Sequence, residues 1–520
     1  MNDWTSLPPL ASERHVVQPV GSPTEDRPKT VRSASADSGQ ETSPLGRVEF
    51  WLAGALLAFS VFPGFGSSLW LDETFTWWIV RDGLADAWSR AMWWSNTPPL
   101  YYCVVWPLAK IFGLGTAVLR APSIVFSLGT AVALYRLARR WMDVEGATLG
   151  VLVFFCLPAV QFTVIDARPY AMGLLLLVLT WLSMMRWMEN GGSKEGLAFI
   201  LCAAGVVWTH YTIAIGLVPL LWYWRRLGSR RAAVAGAALA GLAIPLFGQV
   251  VGWTSTRGEH MWSSPPGAVK AVFALVPGYV LVLLLLGAMM TVFSSKPRTQ
   301  DFKPYAAKQS LVLLVLLAFV PPALFFLLSR AGVVHLFEPR YLLCKEVGLA
   351  LLAAWALRGL TDAKVRRATA IAAVILIVPW SLTYTPRHGD ENWRESSEWV
   401  NEELRIHPET RLVLVSGFVE TSQAGHLDDP RYQEVLIAPQ VVYPVPAEPI
   451  LLPLWPTQEA KERLEKLVAP AAQRAGRIVV VSRSVGPRYK ALFEQSLRGT
   501  GLRLTEERLF GAVMGHVFER

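Results

Sequence analysis

Asp72 and Glu73, adjacent in the stretch LWLDETFTWWIV (69–80), are the first residues in the chain equipped for chemistry. They follow the first long apolar run, with Trp70, Trp77 and Trp78 around them, as expected of aromatics at a bilayer–water boundary. A carboxylate there can take a proton from an attacking hydroxyl. The plainer alternative is that the pair caps the helix that follows, since acids favour a helix N-terminus. Asp72 stands between Leu71 and an aromatic run, where a simple cap rarely needs two acids.

Three later clusters are of the same kind. VIDARPYAMGLLLL carries Asp166, Arg168 and Tyr170 at the entry to an apolar run. These form either an ion pair anchoring a helix end or a site for an anion or metal, because Arg grips phosphate through a planar fork of donors. WTHYTIAIG carries His210 and Tyr211, which are interfacial residues or ligands. VVHLFEPRYLL carries His335, Glu338 and Arg340, and Arg340 suits a lipid head-group phosphate as well as it suits ordinary interfacial anchoring. Ionisable residues at membrane depth are costly, and several on one face favour a functional role.

The elements that must position these residues are membrane helices. The chain has 520 residues, 52% of them hydrophobic, and a mean hydropathy of +0.35. Its apolar residues come in repeated runs near the roughly 20 residues needed to cross a bilayer. The expected fold is therefore a polytopic α-helical membrane protein. The formal charge of +9 is read as a topology signal rather than a nucleic-acid one, because basic residues gather at the ends of apolar runs. The four cysteines are scattered singly and suggest neither zinc nor redox work.

Residues 1–46 read as a disordered cytoplasmic tail. A first span runs from about 50 to 65. If LYYCVVWPLAKIFGLG crossed fully, Arg136, Arg139 and Arg140 would share a side with Asp72; Pro107 and Lys110 also weaken that crossing. Residues 72–119 are therefore read as a long outer loop with interfacial helices. Spans then fall near 120–136, 146–163, 170–187, 197–208, 211–224, 232–250, 267–291, 309–329, 341–357 and 368–384, about eleven in all. The transmembrane region is 47–385. Residues 386–520 form a small extracytoplasmic α/β domain, with strands at 411–417 and 477–484 and helical patterns at 393–406, 457–474 and 487–499.

Five stretches in order carry a family resemblance: LWLDETFTWW, NTPPLYY with the later LRAPS, DARPYAMGLLLL, WTHY and EPRYLL. NWRE at 392–395 adds to them. The chain resembles the GT-C membrane glycosyltransferases, in the bacterial family-39-like branch akin to protein O-mannosyltransferases and aminoarabinose lipid A transferases. The resemblance implies a polyprenyl-phosphate sugar donor and a lipid, glycan or protein acceptor. It implies transfer on the non-cytoplasmic face of the plasma (inner) membrane. By position, Asp72 matches the catalytic acid of the first outer loop and Glu73 its catalytic neighbour. Asp166 takes the place of a second acidic site, with Tyr170, His210 and Tyr211 near the acceptor. Arg168 and Arg340 are candidates for the donor phosphate. Asp166 and His210 are the candidate ligands should a divalent metal take part. The expected chemistry is a single inverting displacement with Asp72 as general base. The competing class is a lipid-linked sugar flippase, which would place polar residues near mid-membrane on broken or repeated helices.

Overall fold

In the computed structural model, residues 51–520 are described except 52–53, 56–57, 60–61, 63, 94–96, 225–226, 256–264, 276–303, 334, 359–364, 366–367, 370, 373–374, 376–387, 423 and 484–486. Several sequence expectations fall on the excepted residues: half of the first span, most of the spans expected at 267–291 and 368–384, and the asparagine that opens NTPPLYY. The chain runs through α1 (Leu71–Val80), α2 (Leu84–Trp93) and α3 (Leu100–Phe112). At 13 residues, α3 is about 20 Å long, shorter than the hydrocarbon core of a bilayer.

Five further helices follow. They are α4 (Thr116–Ala138), α5 (Val144–Cys156), α6 (Pro158–Thr163), α7 (Tyr170–Asn190) and α8 (Ser193–Thr209). Local chemistry sets their ends. Asp143 caps α5 by accepting the Gly146 N–H at 2.9 Å, and Leu157-Pro158 breaks it from α6. Gly191, at φ 69°, closes α7 in the left-handed conformation that glycine tolerates best.

The expected single span at 211–224 is instead two four-residue helices, Tyr211–Ala214 and Leu221–Trp224, flanking a 3₁₀ stretch that contains Pro219. A proline ring inside a helix removes a donor and clashes with the preceding turn, which accounts for the break. α9 (Ser229–Ala243) likewise gives way at Pro245 before α10 (Phe247–Ser255). Then come α11 (Ala268–Leu275), α12 (Pro304–Arg330) and α13 (Cys344–Arg358). Among the described residues, four helices are long and apolar enough to span a membrane: Thr116–Ala138, Tyr170–Asn190, Ser229–Gly252 and Leu311–Arg330.

One apolar core joins α4, α5, α7, α8, α12 and α13 through residues such as Leu134, Phe154, Trp181, Leu314 and Leu351. Small residues bring these helices close. A side chain on Gly348 of α13 would lie 2.5 Å from the Ala318 nitrogen of α12, so only hydrogen fits.

After α14 (Trp393–Ile406) the chain forms a five-stranded sheet of β1 (Arg411–Val415), β2 (Ile450–Leu452), β3 (Arg477–Arg483), β4 (Arg503–Phe510) and β5 (Val513–Glu519). The order is β2-β1-β3-β5-β4, with β1 parallel to both β2 and β3, and β5 antiparallel to β3 and β4. Successive strand residues point to opposite faces. Val413, Val415, Ile478 and Val480 therefore pack with Leu464, Tyr489 and Phe493 on one side. Leu412, Leu414, Val479 and Val481 pack on the other, in the same apolar cluster as Leu71, Phe75 and Trp78 of α1. The helix that carries Asp72 is thus built into the core beneath this sheet.

Candidate active site

The first turn of α1 decides which way its two acids point. An α-helix turns successive side chains by about 100°, so neighbours cannot share a surface. Asp72 faces a cavity of about 410 Å³, while Glu73 points inward and is wholly buried. The sequence reading paired them as catalytic, but the structure brings only Asp72 to the cavity.

Glu73 holds the site together. Its Oε1 accepts from Arg120 Nε and from the Ala167 N–H, both at 2.9 Å. Its Oε2 accepts from Arg120 Nη2 at 2.5 Å and from the Trp70 N–H at 3.2 Å. Arg120, also wholly buried, further donates to the carbonyls of Gly64, Phe65, Ser67 and Ser68. Burial alone would raise the Glu73 pKa, but His388 and the Arg120 fork overrule it and hold it near 2. A charged pair this deep survives because its hydrogen bonds are satisfied.

Asp166 lies beside this pair rather than on the cavity wall. Its Oδ1 accepts from Trp70 Nε1 at 3.1 Å, while Oδ2 is buried without a partner. Burial, with Glu73 nearby, raises its pKa to about 7 against the pull of His388. His388 donates from Nε2 to the Phe162 carbonyl at 2.9 Å, which leaves Nδ1 3.5 Å from Glu73. Burial opposes its charged form, but Glu73 and Asp166 win and raise its pKa.

Glu73, Asp166 and His388 each offer one ligand atom within 4.8 Å of the others, and His210 is not among them. Glu73 fits a cation poorly, since both its oxygens already accept two N–H donors each. Asp166 Oδ2 and His388 Nδ1 are the positions that carry no hydrogen bond.

The other predicted residues converge on Asp72. Arg168, Tyr170, His210, Tyr211 and Arg340 all line the same cavity. Arg340 donates to Asp72 Oδ2 at 3.1 Å, and Arg168 Nη1 reaches the Asp72 carbonyl at 3.2 Å. Arg168 Nε is buried with no hydrogen-bond partner. A guanidinium left short of an acceptor at a cavity is suited to an anion. His210 accepts from the Thr212 N–H at 3.3 Å through Nδ1, capping the short helix after it. Burial, then Arg168 and Arg340, push its pKa down to about 3, so it is neutral. Tyr170 packs against the His210 ring at 4.7 Å, and Tyr211 donates to Gln249 at 2.6 Å. Phe325, Leu328 and Leu336 form an apolar wall. Glu338 pairs with Lys270 at 2.7 Å.

Residues 96–253 match the family model for dolichyl-phosphate-mannose-protein mannosyltransferases. No curated protein matches the chain. Among solved structures, ArnT from Cupriavidus metallidurans bound to undecaprenyl phosphate is similar at 12% identity and a TM-score of 0.52, over 91% of this chain and 97% of that one. The likeness is one of fold. The oligosaccharyltransferase of Archaeoglobus fulgidus, in complex with Zn and sulfate, shares the fold at 14% identity and a TM-score of 0.50, over 89% of this chain and 72% of that one.

Sequence reasoning missed three members of the site region. Arg120 was visible as a lone charge inside an apolar helix, a signal in its own right. His388 lies 222 residues from Asp166 and 315 from Glu73, and no local pattern ties it to them. Arg483 ends an ordinary strand.

Proposed function

We propose that this glycosyltransferase moves a sugar from a polyprenyl-phosphate donor to a hydroxyl on an envelope acceptor, with Asp72 as general base. The observation that carries this reading is that Asp72, Arg168 and Arg340 share one cavity with an apolar wall. The two guanidiniums hold the donor phosphate, and Phe325, Leu328 and Leu336 take the start of the lipid chain. A phosphate arriving there draws Arg340 toward itself and leaves Asp72 free to accept a proton.

The acceptor oxygen then attacks the anomeric carbon. Asp72 takes the hydroxyl proton, the carbon–oxygen bond to phosphate breaks, and polyprenyl phosphate leaves with the bonding pair. The leaving group needs no protonation because the guanidiniums stabilise its charge. Attack opposite the departing phosphate inverts the anomeric configuration. The polar side chains open on the non-cytoplasmic face of the inner membrane. Residues 1–46 lie in the cytoplasm, 47–385 form the membrane region, and 386–520 lie outside.

Asp72→Asn keeps the shape and removes the base. Transfer in a membrane assay at matched protein level should fall by about 10²- to 10⁴-fold, with undecaprenyl phosphate still bound. Near-normal transfer by this variant would show that Asp72 is not the base.

A further inference from the structure

Gln249 is out of keeping with its helix. α10 continues the apolar stretch Ser229–Gly252, and Phe247 and Val251 beside Gln249 are exposed. Gln249 turns the other way and is only 5% exposed. An amide buried in an apolar helix is costly unless its hydrogen bonds are met, so its partners say what it is for.

The amide nitrogen donates to the Ala91 carbonyl of α2 at 2.7 Å and lies 3.5 Å from the Thr97 carbonyl. A carbonyl can only accept, so the nitrogen must face this part of the chain and the amide oxygen must face away from it. There the Tyr211 hydroxyl donates to Gln249 Oε1 at 2.6 Å. A phenol has one proton to give. With that proton committed to Gln249, the Tyr211 oxygen offers lone pairs and nothing else. Tyr211, Thr97 and Val250, the residues around this bond, all line the cavity that holds Asp72.

A wall whose polarity is fixed at one point selects what can meet it there, and a lone-pair donor meets a hydroxyl. His210, the residue before Tyr211, lies in the field of both Arg168 and Arg340. A sugar bonded to a phosphate held by those guanidiniums comes within reach of the same wall. We infer, resting on the transfer reaction proposed above, that Gln249 is a positioning residue for donor selection, holding Tyr211 as a pure hydrogen-bond acceptor for one hydroxyl of the donor sugar. A site built to accept from a hydroxyl rejects the sugar that lacks it, because the buried oxygen is then left unpaired. Gln249→Met fills similar space but releases the Tyr211 proton, so the hydroxyl can turn to donate as well as accept and selection blurs.

The test uses the full chain at matched level, in membranes of cells whose own copy is deleted. Undecaprenyl phosphate carrying mannose, glucose, galactose or arabinose is the donor, followed by the monodeoxy forms of each sugar transferred. Tyr211→Phe should lose about tenfold or more with the parent donor, yet transfer one monodeoxy form within about twofold of wild type. Gln249→Met should narrow the preference for the parent over that same monodeoxy form by about threefold or more, and leave the other positions unchanged. Both purified variants should bind undecaprenyl phosphate within about twofold of wild type. A loss shared equally by every donor overturns the inference, since a plain brace between helix and loop would give that. So do unchanged selection, narrowing at a different hydroxyl in the two variants, and a parallel loss of undecaprenyl phosphate binding. Wild type inactive with all four donors overturns the donor reading, and this inference with it.

Discussion

Replacing Arg120 by Met is the most informative test of how the site is held. The methionine side chain fills much of the space but leaves Glu73 ionised and buried, with the Trp70 and Ala167 N–H groups as donors and His388 as its remaining charge partner. It also strips a donor from the carbonyls of Gly64, Phe65, Ser67 and Ser68. Breaking a buried ion pair from one side costs about 3–5 kcal/mol. Glu73→Gln should cost less, because the amide still accepts one arm of the fork and Arg120 keeps its carbonyl partners. Reversible unfolding by SDS in mixed micelles gives both values. The double variant Arg120→Met/Glu73→Gln should cost less than the sum of the two, by about 0.5–3 kcal/mol. An Arg120→Met protein as stable as wild type would refute the reasoning, as would strict additivity.

Three other perturbations follow from the geometry. Arg168→Gln and Arg340→Gln should each weaken undecaprenyl phosphate binding by roughly 10- to 150-fold, the worth of a charge-assisted hydrogen bond, as read by tryptophan quenching. Asp166 and His388 hold protons more tightly in the folded chain than their ordinary values of 3.8 and 6.5 allow. The stability from Asp166 is complete below 3.8 and lost as pH rises through about 7, and that from His388 is complete below 6.5 and lost above it. Glu73 acts in the opposite sense, its contribution vanishing only as pH falls from 4.5 toward 2. Melting should therefore be lower at about pH 8 than at about pH 5, and Asp166→Asn should flatten the difference; an unchanged slope would contradict the assignment. Gly417→Val should push the loop after β1 away from Leu71 and lower transfer by about 10²-fold, without loss of folded protein on size-exclusion chromatography.

The cavity-facing residues were legible because each sits at the edge of an apolar run, where a charge stands out. Asp72, Arg168, His210 and Arg340 all have that setting, and the fold gathers them with Tyr170 and Tyr211 around one cavity. What the sequence could not separate was Asp72 from Glu73. Adjacent acids look equivalent in a string, and only the phase of α1 sends one to the cavity and the other to Arg120. His388 was hidden for a different reason: its partners are remote in sequence, so its significance exists only after folding. Helix breaks were legible in principle through Pro158, Pro219 and Pro245, yet hydropathy averages over them. The smooth span expected at 211–224 is in fact broken in the middle.

The backbone of Leu71 is capped by Glu391, 320 residues later, and that of Leu69 by the Tyr443 hydroxyl, 374 residues later. On a ribosome adding about 5–20 residues per second, those partners arrive on the order of tens of seconds after the helix they secure. Until then the turn bearing Asp72 lacks two of its restraints. Synthesis order thereby acts as a delay on the chemistry. On the function proposed above, a nascent chain has its base before it has the frame that aims it.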